Sequence, residues 1–361
     1  MRLTTVITSL LALLCSSSAA RVQPQTPLRA LSRAPKVVSP TLCPDDTTVS
    51  HAVEDLANIQ QYSGYLPGSS IFFWFFPSRS HPETDPVGIW SNGGPGSSAL
   101  TGMQYAGPCY VEKDGHGGWE MRTREWSFNN NASILMIDNT FVKTFPEYAS
   151  NPWAVNSLSY GGAAAGQYAS TVASLPYALT GLNIYDYRTA EPYDETGVIA
   201  YYNNATVQAE LGVIHKPSDA SKLWEAHSAR IWHAYVFSGD WDVQTDVYFE
   251  RLLRSGVSVL KYEGMVDFIC NYLGVREIMA NLPNYERQST FNTLPMLNWT
   301  TGGNETPAGM YKCIAGRDVD EGNLCYVEIE GAGHVLSLDK PKEGSWMMSQ
   351  WMQGQALSHA A

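Results

Sequence analysis

The chain has 361 residues, 44% of them hydrophobic and 12% aromatic, with 16% charged residues and a formal net charge of −12. That length and apolar content suffice for one sizeable core and a small appended lobe. The acidity argues against partners that reward basic patches, namely nucleic acid and anionic membrane surfaces.

Behind Arg2 an apolar run from Val6 to Leu14 leads into "CSSSAA", so residues 1–20 are expected to be a cleaved secretory signal peptide. The run is far shorter than the ~20 residues of a spanning helix, so no membrane association is expected. The destination expected is secreted or vacuolar. Residues 21–42, rich in Pro, Ser and Arg without periodicity, suit an exposed leader. From Cys43 the pattern turns globular. "IFFWFF" (71–76), "VGIW" (87–90) and "ASILMID" (132–138) are apolar on both faces and predict buried strands.

"PWAVNSL" (152–158) predicts a strand that feeds a turn, followed by a helix over 163–175. A second helix is expected over 221–236, then strands at 256–262 and 324–330. Strands alternating with helices define an α/β fold with a mainly parallel sheet. In such sheets the chemistry gathers at the carboxyl ends of the strands. The expected division is a first core part over 43–175, an insertion over 176–235 and a second core part over 236–361.

Three turns stand at such ends. "SLSYGG" places Ser159 in a near match to the G-x-S-x-G nucleophile elbow, with Ser157 where the first glycine would be. "KYEGMVDFICNYLG" carries Asp267, and "EIEGAGHVLSLDKP" carries His334. Ser, Asp, His is the chain order of α/β-hydrolase triads. A serine hydroxyl needs an imidazole to take its proton, and the imidazole needs a carboxylate to hold its tautomer. Taken singly, an Asp in a turn is usually a cap and a His after glycines a loop residue; the ordered set outweighs those readings. A fourth segment, "IWSNGGPGSSALTG" (89–102), is a glycine-dense loop after a strand, suited to aiming backbone N–H groups at an oxyanion. It lacks the Lys-Ser/Thr ending of a phosphate-binding P-loop.

Four sequons begin at Asn131, Asn204, Asn298 and Asn304, marking candidate glycosylation sites on a secretory route. Beyond the leader stand Cys43, Cys109, Cys270, Cys313 and Cys325, an odd number that leaves one thiol free or paired to another chain. None has C-x-x-C spacing, so disulfides are expected rather than a metal site. No ligand cluster has suitable spacing, and neither metal nor organic cofactor is expected.

Together "WSNGGPGSS", "SLSYGG", "FSGDW" (237–241), "YEGMVDFICNYLG" and "EGAGHVLSLDKP" resemble the serine carboxypeptidases, particularly the secreted fungal ones, in family order from about Cys43 to Pro341. The resemblance implies an α/β-hydrolase fold and release of C-terminal residues from peptides through an acyl-enzyme. It implies Ser159 as nucleophile, Asp267 as orienting acid and His334 as base, with the amides of Gly94 and Tyr160 as oxyanion hole. Asn92 and Gly93 match family groups that bind the substrate carboxylate. Cys270 matches the family's unpaired cysteine near the histidine, which leaves four cysteines for two disulfides in any of three connectivities.

Two departures bear on substrate. The family's two carboxylate-binding acids are replaced by Leu158, directly before the serine, and by Tyr105 in "MQYAGPC" (103–109). The interval from Ser159 to Asp267 is 108 residues, shorter than in typical members, which implies a reduced cap lobe. The alternatives to a carboxypeptidase are an acyltransferase or small-ester hydrolase on the same scaffold, or a catalytically impaired secreted glycoprotein. A peptide or small acyl compound is the expected substrate; the sequence sets no oligomeric state.

Overall fold

The protein is represented by a computed structural model that describes residues 36–38, 42–43, 61–65, 71–137, 151–158, 177–181, 193–213, 223–238, 246–268, 270–301, 306–318 and 320–357. Among these residues run thirteen strands: β1 (Lys36–Val38), β2 (Gln61–Tyr65), β3 (Phe72–Phe76), β4 (Val87–Ser91), β5 (Cys109–Lys113), β6 (Trp119–Thr123), β7 (Ser133–Ile137), β8 (Trp153–Ser157), β9 (Tyr177–Gly181), β10 (Ser258–Gly264), β11 (Leu297–Trp299), β12 (Gly309–Ile314) and β13 (Leu324–Ile329). Eleven form one sheet in the order β1-β2-β3-β7-β4-β8-β9-β10-β13-β12-β11, while β5 and β6 pair separately. The middle six, β7 to β13 in that order, are parallel throughout. Antiparallel strands flank them on both sides. The fold is α/β.

The apolar runs become interior strands because both faces of the sheet are covered. Successive side chains of a strand leave on opposite faces. Trp74 and Phe76 of β3 join Trp90, Met136 and Trp351 in one cluster, while Phe73 and Phe75 join Val87, Leu135 and Ile137 in another. The helix Pro341–Met352 closes the first of these faces with Met347, Met348, Trp351 and Met352. Helices Val247–Leu253 and Tyr272–Ala280 bring Phe249, Leu252, Val275 and Met279 against Val259, Leu324 and Tyr326.

The six expected strands are present within one or two residues of the predicted ends. The helix expected over 221–236 starts only at Ala229 and runs to Ser238. Residues 223–228 are unwound because this stretch pairs with the glycine loop: Ser98 N donates to Ala226 O and Ser228 N to Gly96 O, both at 2.9 Å. Strand β9 lies inside the interval assigned to the insertion, so core structure extends at least to Gly181. The helix expected over 163–175 and the leader before Lys36 lie outside the described residues. Of the three disulfide connectivities, the structure holds Cys43–Cys109 and Cys313–Cys325, with Cys270 free.

Candidate active site

Strand order gathers the predicted turns. β4 lies between β7 and β8, and its last residue Ser91 is the register partner of Ser157 at the end of β8. Leu158 N then donates to Ser91 O at 3.1 Å. The glycine loop and the turn after β8 therefore leave the sheet side by side. β10 and β13 also end together, with Gly264 opposite Ile329. All four exits lie at carboxyl ends of parallel strands, where α/β folds place their ligands.

Asp267 and His334 meet across the second pair of exits. Asp267 Oδ2 is 3.2 Å from His334 Nδ1, and the two residues are 3% and 8% exposed. The Cys270 amide donates to Asp267 Oδ1 at 3.2 Å, which fixes the carboxyl plane. A carboxylate facing Nδ1 accepts its proton and leaves Nε2 as an acceptor, the tautomer a general base requires. Burial pushes the His334 pKa well below its ordinary value, so the ring is a neutral base at pH 7.

The two loops can touch because residue 264 is glycine. A Cβ there would lie 2.3 Å from Ala332 O and 2.5 Å from Gly333 O. The histidine loop is held on its other side by Asp339 and Tyr193. Gly333 N donates to Asp339 Oδ2 at 2.6 Å, and the Tyr193 hydroxyl donates to the same oxygen at 3.0 Å. The Val335 amide in turn donates to the Tyr193 hydroxyl at 3.0 Å. The backbone on both sides of His334 is thus pinned by side chains.

The glycine loop turns through positive φ at Gly94 (105°) and Gly96 (94°), where a side chain would be strained. Asn92 is committed to the protein. Its Oδ1 accepts from Trp90 Nε1 at 2.6 Å, and its Nδ2 donates to Ser98 O at 2.9 Å and to the Thr101 hydroxyl. Gly93 is buried beside it and accepts from Ser97 N at 3.0 Å through its carbonyl. Leu158 is buried in the apolar cluster. Tyr105 donates its hydroxyl to Glu195 Oε1 at 2.5 Å.

Cys270 is half-buried and free. Burial, with the charges of Glu263 and Asp267 behind it, pushes its thiol up to about 12. Ser159, Tyr160 and Asn304 lie outside the described residues. Asn204 caps the helix Ala205–Glu210 by accepting from Thr206 N and is exposed, as is Asn298 on β11. Asn131 is half-buried and accepts from the Ser349 hydroxyl at 3.1 Å. Tyr193, Glu195, His227 and Asp339 were not foreseen. Tyr193, Glu195 and His227 meet partners 32 to 146 residues away, and Asp339, inside the stretch that carries His334, was given no role there. Among the described residues no group of three or more His, Cys, Asp or Glu is placed to hold a metal ion.

A mainly parallel sheet with an Asp–His pair at its carboxyl edge and a glycine loop beside it defines an α/β-hydrolase. The solved structure of Kex1Δp, a prohormone-processing carboxypeptidase from Saccharomyces cerevisiae, shares this fold with a TM-score of 0.65 at 18% identity, covering 88% of this chain and 95% of that one. The family model described as serine carboxypeptidase matches residues 52–141 and 178–354, and the chain belongs to that family. Among similar proteins, a carboxypeptidase Y homolog A of Fusarium vanettenii is 26% identical, covering 82% of this chain and 74% of its own length. Carboxypeptidase Y of Schizosaccharomyces pombe is 25% identical over 82% of this chain and 41% of its own length. The protein is a serine-type carboxypeptidase, a hydrolase of peptides. The family match includes Asn92, Gly94, Asp267 and His334; residues 142–177, with Ser159, fall between its two segments.

Proposed function

We propose that Ser159 is the nucleophile, His334 the general base and Asp267 the orienting acid, with the amides of Gly94 and Tyr160 receiving the oxyanion. The observation that carries this is the buried Asp267–His334 contact at the ends of β10 and β13, with β8 ending two residues before Ser159. In the reaction Ser159 Oγ bonds to the carbonyl carbon of the last peptide bond as its proton passes to His334 Nε2. That proton then moves to the leaving amine as the C–N bond breaks, and water repeats the sequence on the acyl-enzyme. A fluorophosphonate should label Ser159, and Ser159→Ala should lose both the label and turnover. Retention of more than about a hundredth of wild-type kcat, against triad losses of ~10⁶, would place the nucleophile elsewhere.

Recognition of the free C-terminus is weak in this reading. Leu158 and Tyr105 stand where the family has two acids, each such charge-assisted hydrogen bond being worth roughly 1.5–3 kcal/mol, and the Asn92 amide is turned to Trp90, Ser98 and Thr101. Matched peptide acids and amides should therefore differ in kcat/KM by less than about a hundredfold, or ~2.7 kcal/mol. A larger preference for the acid would show that other groups bind the carboxylate. The same observation favours small esters as a second substrate class. The protein is secreted or vacuolar in this reading, with glycans on exposed Asn204 and Asn298 and a reduced cap after β9. No helix among the described residues is long and apolar enough to cross a membrane.

A further inference from the structure

One three-residue segment touches both halves of the site. From Tyr193 a hydroxyl holds Asp339 and the Val335 amide, bracing the loop of His334. From Glu195 a carboxylate holds the glycine loop by two routes. Its Oε1 accepts from Tyr105, on the short helix whose Thr101 contacts Asn92. Its Oε2 lies 2.9 Å from His227 Nε2, and His227 Nδ1 lies 2.7 Å from the Ser97 hydroxyl.

Ser97 packs closely against Gly94. Its Oγ lies 2.8 Å from where a Cβ on Gly94 would be, and its amide closes the turn onto Gly93 O at 3.0 Å. Backbone pairing at Ser97 and His227 adds to the same attachment. The carboxylate can only accept, so His227 Nε2 carries a proton. Nδ1 then accepts from the Ser97 hydroxyl in neutral His227 and donates to it in the imidazolium. The chain Tyr105–Glu195–His227–Ser97 thus stays closed in either protonation state. The segment itself is locked by Asp194, whose Oδ1 accepts from Thr196 N at 2.9 Å at the start of the helix Thr196–Tyr202.

We propose that Tyr193 and Glu195 are positioning residues of the hydrolase, bracing the base loop and the oxyanion loop from a single segment so that His334 and the Gly94 amide keep their spacing. The proposal rests on the roles given above to His334 and Gly94. Misplacing catalytic groups by about 1 Å can cost on the order of a hundredfold in rate. A brace of this kind acts on the tetrahedral state more than on substrate binding.

The test compares Tyr193→Phe, Glu195→Ala and Glu195→Gln with wild type. Each is assayed for kcat and KM on an N-acyl dipeptide, for affinity toward a peptidyl boronic acid, and for affinity toward a non-reacting N-acyl amino acid. Tyr193→Phe and Glu195→Ala should each lower kcat and boronate affinity together by about ten- to a hundredfold, with KM and N-acyl amino acid affinity changed less than about threefold. Glu195→Gln, which keeps the shape and can still bridge Tyr105 and His227, should recover most of the loss. Unchanged kcat and boronate affinity in Tyr193→Phe, which removes one oxygen only, overturns the proposal. So does a loss confined to KM or to melting temperature, or a fluorophosphonate adduct on Ser97, which would make that residue a nucleophile. If wild type neither accepts the label at Ser159 nor binds the boronate, it is the catalytic assignment that fails.

Discussion

Asp267 shows how one carboxyl group is given two tasks. Oδ1 receives the Cys270 amide and Oδ2 faces His334 Nδ1, so its plane is set before substrate arrives. Asp267→Asn keeps that shape but can present an N–H to the imidazole, favouring the wrong tautomer; kcat should fall on the order of 10⁴-fold with little change in KM. Burial lowers the His334 pKa, so its base form persists into acid solution. A base must be deprotonated to act, so kcat/KM should rise with pH along a limb lying below 6.5, the ring's ordinary value. A limb centred above pH 7 in a kcat/KM profile would contradict that environment. Cys270 follows the same electrostatics in reverse. With its thiol held up at about 12, maleimide should modify it slowly at pH 7, and faster as pH rises toward 9. Rapid, pH-independent modification would mean that the thiol is not shielded as described.

Strand β10 is buried along its whole length yet carries an ionisable pair. Lys261 Nζ and Glu263 Oε1 lie 3.0 Å apart at 1% and 0% exposure. Burial raises the Glu263 pKa to about 8, a rise that Lys261 only partly offsets. The folded protein therefore holds this proton more tightly than the unfolded chain, whose carboxyl titrates near 4.5. The resulting stabilisation is complete below pH 4.5 and is lost as pH rises toward 8. Wild type should melt at lower temperature at pH 8 than at pH 5, and Glu263→Gln should flatten that slope; an unchanged slope would assign it to other groups. The carboxyl end of the same strand depends on a missing side chain. Gly264→Ala would drive a methyl into Ala332 O and Gly333 O, so it should separate the Asp267 and His334 loops and reduce kcat as well as stability. An active, equally stable Gly264→Ala would show that the loops have room.

Across the whole molecule the two disulfides differ in reach. Cys43–Cys109 closes a separation of 66 residues and ties the chain before β2 to the start of β5. Cys313–Cys325 closes only 12, between neighbouring strands β12 and β13. The chain-entropy relation assigns the longer loop ~4 kcal/mol and the shorter ~3 kcal/mol. Replacing Cys43 and Cys109 by Ser should therefore lower the denaturation midpoint more than replacing Cys313 and Cys325. The reverse order would mean that local packing at β12–β13 outweighs chain entropy.

The strand-forming runs were legible because strands covered on both faces must be apolar at nearly every position, as Phe73–Phe76 and Ile134–Ile137 are. Asp267 and His334 were legible because each follows such a strand in a glycine-bearing turn, in the chain order of a hydrolase. The helix start at Ala229 was not, since His227 and Ser228 have helical neighbours in sequence but spend their backbone on the glycine loop. Nor was β9, a short strand whose place depends on pairing with β8 and β10. Choosing among the disulfide pairings also required the fold. Sequence by itself determined the apolar strands, the turns that end them and the residue types set in those turns, because these are local consequences of side-chain chemistry. Only tertiary structure decided that Glu195 meets Tyr105 across 90 positions and that Tyr193 reaches Val335 across 142, because such contacts arise from strand order, to which no local pattern is tied.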